Sequence, residues 1–260
     1  MTGADAEALA GLPDLAFAFV LVLSRAGGVV ALLPGLAETG VPAVVRAGLA
    51  GALALLLTPT VAPLVPAVPA APALAARMLG GELLVGLWLG FLARVLVLAL
   101  PMAGQILATL LGVSSVLQPD PELGPQTSAL ARLFALAAPV VVLASGLYAL
   151  PLAALARSYA LFAPGAVLPS GAVAEAVARA VTAGFGLALR LCAPALLASV
   201  VWSVAAGILA RVAPRVQVYF LAMPAQILGG LAILAALSGA ILFAWQDTVR
   251  EGFGALPGLR

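Results

Sequence analysis

Residues 191–210 carry no charge, residues 211–215 read Arg-Val-Ala-Pro-Arg, and residues 216–246 again carry none. A core helix in a water-soluble domain does not need uncharged runs of this length. Roughly 20 apolar residues at about 1.5 Å rise each cover a hydrocarbon layer of about 30 Å. The two runs predict a helical hairpin in lipid over residues 191–246.

The remaining sequence has the same character. Hydrophobic residues make up 64% and charged residues 8%, against about 25% charged in a soluble domain. A surface this poor in polar groups must be solvated by lipid or by other apolar subunits. The expected class is an all-α integral membrane protein, residues 1–260 forming one polytopic domain. Its basic residues are all arginine and are spread singly among the carboxylates; a phosphate-binding face needs clustered cations, so nucleic acid is excluded as a partner. Cys192 lies inside an apolar run with no second thiol in the chain and reads as a small buried hydrophobe.

Six apolar segments can be drawn. A polar N-terminal tail, residues 1–14, holds Asp5, Glu7 and Asp14 and lacks the positive region of a signal peptide, so the first segment, 15–33, is expected to be retained. The second, 47–65, runs into a proline series at 59, 63, 66, 69 and 72. The last four recur every third residue, which in a polyproline II conformation lines them along one edge and forbids helix; residues 59–76 are read as a stiff linker. In the third segment, 78–100, Glu82, Gly86, Gly90 and Arg94 follow one another at i+4, so they share one gently drifting ridge. The two glycines would let another backbone approach, with the charges facing protein. Residues 101–117 are only marginally long and read as a re-entrant or buried segment. They lead into a central loop, 112–125, broken by Pro119 and Pro121. The fourth segment, 133–156, should bend at Pro139, Gly146 and Pro151, and a polar connection, 157–179, precedes the C-terminal hairpin. Alternate crossing places five arginines on one side and four on the other, which sets no orientation.

The chemistry that is missing is equally informative. The chain has no histidine and no lysine, which removes Ser-His hydrolysis, most zinc sites and the phosphate-cradling lysine loop. No catalytic, cofactor-binding or metal-ligating residue is assigned, no cofactor is expected, and the chain is not read as an enzyme. Only Arg25, Glu82, Arg94 and Arg190 are ionisable within or beside the spans, and Arg25 is taken as a buried charge. Six bent helices that each bury an apolar face leave no lumen for a polypeptide, so a channel would need partners. Gly86/Gly90, Gly184/Gly186 and Gly229/Gly230 are the close-packing positions that could face them.

Arg25 through Pro34, Gly40-Val41-Pro42 with Arg46, and Glu82 through Gly86 with Gly90 resemble the first half of the flagellar biosynthetic protein FliR family, which includes the SpaR/SctT subunits of injectisome type III secretion. Gly104, Gly112 and Asp120-Pro121, then Ser158-Tyr159 with Pro164-Gly165, then Arg211-Val212-Ala213-Pro214 with Pro224 resemble later elements of that family in the same order. Departures fall at Leu147, Arg215 and Gln217, where the family often has His, Gln and Asn. The resemblance implies a core subunit of the export gate in the bacterial inner membrane and flagellar basal body. It implies assembly with FliP, FliQ and an FlhB-type subunit, partly outside the bilayer plane, around unfolded proteins in transit. It further implies that the central loop closes the lumen: Gly112, Val113, Ser114, Ser115, Val116, Leu117, Asp120 and Pro121. An irregular segment at membrane depth is tolerated only where protein or a water-filled cavity surrounds it. Helix packing and assembly are assigned to Glu82, Gly86, Gly90, Arg94, Arg211, Pro214 and Pro224. Two alternatives stand beside this reading: the equivalent injectisome subunit, and a small-solute secondary transporter using Glu82 and Arg94.

Overall fold

Backbone polar groups in an apolar setting have only one another to bond, so long Ala-, Leu- and Val-rich runs settle as helix. The computed structural model describes residues 3–112, 128–166, 168–212 and 218–259, without the side chains of 3–10 and 218–221. The described residues form helices α1 (Gly3–Leu32), α2 (Ala43–Val61), α3 (Pro72–Leu110), α4 (Ala129–Ala144), α5 (Ala149–Leu161), α6 (Ser170–Val212) and α7 (Val218–Gly254), and contain no strand.

Five of these helices are long and apolar enough to cross a membrane, and α4 with α5 makes a sixth candidate, bent by 67°. The bend has a local cause. Gly146 is left-handed, with φ +72°, and its N–H donates to Leu143 O while Leu147 N–H donates to Val142 O. These are the paired bonds of a Schellman cap, with the buried Val142 and Leu147 at its hydrophobic positions. The Leu147 departure is thus an apolar residue filling an apolar slot.

Several segment limits differ from the sequence reading. Helix α3 runs unbroken for 39 residues through Pro101, so 78–100 and 101–117 are not two segments. A proline inside a helix frees one carbonyl and tilts the axis, but neighbouring helices in a membrane bundle compensate the loss. Helices α1, α4, α6 and α7 likewise continue through Pro13, Pro139, Pro194 and Pro224. The linker expected at 59–76 shrinks to 65–71, because α2 contains Pro59, a 3-10 turn at Ala62–Leu64 takes in Pro63, and Pro72 opens α3, where a missing N–H costs nothing. Helix α1 begins at Gly3, inside the expected polar tail. The polar connection reduces to 162–169, since α5 and α6 cover its two ends.

The chain divides into two compact units. One comprises Met1–Val95, Val142–Ala180 and Glu251–Arg260, the other Leu96–Val141 and Val181–Arg250. In the first, α1 lies against α2 and buries Leu21, Val22, Val29 and Val30, while α3 contributes Val85 and Leu89 and α5 contributes Leu155. In the second, Gly104 meets Ala131 and Phe134, Cys192 Sγ–H donates to Ala103 O at 3.4 Å, and Gly230 meets Leu111. Burial is uneven: 56% of the apolar window of α3 is buried, against 17% for α6 and 11% for α7. The two C-terminal helices are therefore apolar on faces that the described chain does not cover.

Candidate functional site: a buried arginine centre

Small residues decide how α1 and α3 meet. A Cβ at Gly86 would strike the Arg25 carbonyl, and one at Gly28 would lie 2.7 Å from Leu83 O and 2.8 Å from Leu87 N. Gly90 faces Leu32 Cβ and Val29 O, both at 2.9 Å from where its Cβ would stand. The two backbones are thus in van der Waals contact along this seam, as small-residue pairs permit between membrane helices. Gly86 and Gly90 are taken up by packing within the chain, so they are not the partner-facing positions the sequence reading had in view.

That close approach sets Arg25 beside Glu82, one turn before Gly86 on α3. Arg25 Nε donates to Glu82 Oε2 at 2.6 Å and Nη2 donates to Glu82 Oε1 at 3.0 Å, a bidentate pair. The remaining donors turn to the end of α5: Nη1 donates to Ser158 Oγ at 2.9 Å and Nη2 to Phe162 O at 3.0 Å. Ser158 Oγ–H donates in turn to Leu155 O at 2.7 Å, and Gly165 N–H donates to Glu82 Oε1 at 2.8 Å. The guanidinium carbon stands 4.0 Å from the centroid of the Tyr159 ring, within cation–π range. Arg25 and Ser158 are 0% exposed and Glu82 1%.

The electrostatics follow from that enclosure. An arginine at the centre of a membrane helix costs about 2.5–3.5 kcal/mol by insertion scales. Here its charge is neutralised by Glu82 and four of its five N–H donors are engaged, which approaches the condition for a buried pair to persist. The centre also fixes shape. It ties α1, α3 and α5 together, and through Phe162 O and Gly165 N–H it holds the Pro164-Gly165 turn, where Gly165 has φ +79° and abuts Met78. Trp88 packs edge-on against Phe162 with ring centroids 5.7 Å apart.

A family model described as bacterial export proteins, family 1, matches residues 16–252. The chain belongs to that family. This export protein is also similar to the flagellar biosynthetic protein FliR of Caulobacter vibrioides, 29% identical over 235 residues, which cover 89% of this chain and 92% of the relative.

The other residues assigned from the sequence of this export-family chain are placed apart from the centre. Arg94 is half-buried and makes no ion pair among the described residues; Arg211 is exposed at the end of α6, and Pro224 is exposed inside α7. Pro214 lies outside the described residues, as do Val113, Ser114, Ser115, Val116, Leu117, Asp120 and Pro121. Gly112 closes α3 with φ +69°, and its Cβ position lies 3.0 Å from Gln226 Nε2 of α7. It also lines a cleft of about 430 Å³ with Trp202, Ser203, Met223 and Gln226. Ser158 and Gly165 belong to the polar stretch 157–179 and to the family resemblance, Tyr159 to the resemblance alone, and neither reading assigns them to a buried charge. Polar residues at the end of an apolar helix were the signal that they serve a buried charge.

Proposed function

We propose that this chain is a core, non-enzymatic membrane subunit of the flagellar type III export gate. In this role it forms the channel for unfolded flagellar proteins across the bacterial inner membrane, at the flagellar basal body, together with FliP, FliQ and an FlhB-type subunit. The single observation that carries the reading is the family match over 16–252. The FliR relative supports the flagellar system over the injectisome one.

The fold supplies a physical rationale. Helices α6 and α7 offer long uncharged faces of which the chain buries little. In lipid no hydrophobic force drives helices together, so such faces associate through packing of small residues. Gly186 and Gly229, with open space where a Cβ would stand, are positions where a partner helix can approach. Arg211 at the end of α6 and Pro224 within α7, with Pro214 between these helices in the sequence, are proposed to serve assembly. The stretch from Gly112 to Glu122 is proposed to close the resting lumen.

The transporter alternative is disfavoured by a specific contact. It needs Glu82 and Arg94 as a working pair, and Glu82 is already engaged by Arg25 and the Gly165 N–H. The test is purification of the full chain in mild detergent after co-expression with FliP and FliQ. A stable complex of the three is expected; a chain that runs alone while its two partners assemble without it overturns the assignment.

A further inference from the structure

The connection between α2 and α3, like those at 145–148 and 162–169, carries no charged residue, whereas those at 33–42, 113–127 and 213–217 carry Glu38, Asp120 with Glu122, and Arg215. From Ala47 to Ala76 the chain has no charged residue at all. Residues 65–71 are not helical, and Val65 has φ −81° and ψ 130°, the extended geometry of polyproline II. Leu64, Val68 and Leu74 nonetheless stand 55%, 43% and 43% exposed. Left in water, these side chains would forgo about 25 cal/mol for each Å² of apolar surface.

The backbone of this strap is depleted of free donors. Pro66 and Pro69 have no N–H, Val65 N–H donates to Ala62 O at 3.1 Å, and Val68 N–H donates to Asp14 Oδ1 at 3.3 Å. Ala71 O accepts from the Leu74 and Ala75 N–H groups at 3.0 and 3.3 Å, but among the described residues no backbone N–H reaches the carbonyls of residues 65–70, and unpaired backbone acceptors are not tolerated in hydrocarbon. Residues 65–71 reach at most about 25 Å when fully extended, short of the roughly 30 Å hydrocarbon layer. They must therefore leave and re-enter the bilayer at one surface.

We propose that residues 64–74 are a lipid-binding strap lying in the interfacial layer of the bilayer. Leu64, Val68 and Leu74 enter the acyl boundary, the carbonyls stay among head groups and water, and Asp14 pins the strap at Val68. Apolar segments bind at this depth by the area they bury. The inference rests on the membrane placement of α2 and α3 and is independent of the export role.

The test uses the full chain, alone and co-expressed with FliP and FliQ, in vesicles of phosphatidylethanolamine and phosphatidylglycerol. A polarity-sensitive fluorophore is attached to Val68→Cys in a Cys192→Ala background. Blue-shifted emission is expected, with stronger quenching by lipids carrying a nitroxide near the head group than by lipids carrying it deep in the chain. Label at Glu38→Cys should be quenched less, and label at Leu56→Cys, on the exposed face of α2, should be quenched most by the deep nitroxide. Emission at Val68 typical of water overturns the strap, as does a blue shift without lipid quenching, which would mean a protein groove covers it. Absence of lipid quenching at Leu56 overturns the membrane placement of α2 and the strap together, whatever the co-purification with FliP and FliQ shows.

Discussion

The guanidinium of Arg25 and the carboxylate of Glu82 are 57 residues apart in sequence and share two hydrogen bonds where neither side chain meets solvent. Removing one member leaves the other charged and enclosed, which costs about 3–5 kcal/mol. Arg25→Ala and Glu82→Ala should each lower the unfolding free energy in detergent micelles by that amount. Arg25→Met combined with Glu82→Leu should lose much less, because no charge is then stranded. The measurement is denaturant unfolding of the two singles and the double.

Gly86 and Gly27 make a matched comparison. Gly86→Ala forces α1 and α3 apart at the Arg25 carbonyl, whereas Gly27 has nothing within 4 Å of its Cβ position. Overpacking of a tight seam costs about 1–3 kcal/mol, so Gly86→Ala should destabilise by that much and Gly27→Ala should not. Thermal unfolding of the two variants side by side distinguishes them.

How much of this was legible beforehand depends on the residues concerned. Length and scarcity of charge locate α1, α2, α6 and α7, because a bilayer imposes a minimum apolar run. The i+4 ridge from Glu82 to Arg94 identified the face of α3 that carries Glu82, Gly86 and Gly90, but it could not say what that face meets. Its partner is Arg25, in another segment, and sequence spacing holds no information about pairing at that range. Arg94, three turns along the same ridge, is half-buried and makes no ion pair among the described residues. Prolines misled most. By propensity Pro59, Pro63 and Pro101 read as breaks, yet α2, the 3-10 turn and α3 run through them, as a membrane bundle can tolerate.

Gly146 isolates a backbone effect from a packing one. Its φ is +72° and nothing stands within 4 Å of its Cβ position, so a side chain has room but the wrong backbone conformation. Gly146→Val should destabilise by about 1–2 kcal/mol, while Gly146→Asn, which tolerates the left-handed region, should be nearly silent. Unfolding of both variants in micelles reads the difference.

Deleting residues 114–118 from the proposed lumen-closing stretch should raise small-ion leakage in cells that also hold FliP and FliQ. Conductance of the assembled complex in planar bilayers is the readout. Unchanged conductance would reassign the closing role to another element.

The central claim, that this chain is an indispensable wall component of a protein-export channel, is tested most directly by measuring flagellar proteins in the medium of a strain lacking its gene. Export should fall to background and return when the full chain is supplied. Undiminished export in the absence of the chain would contradict the account.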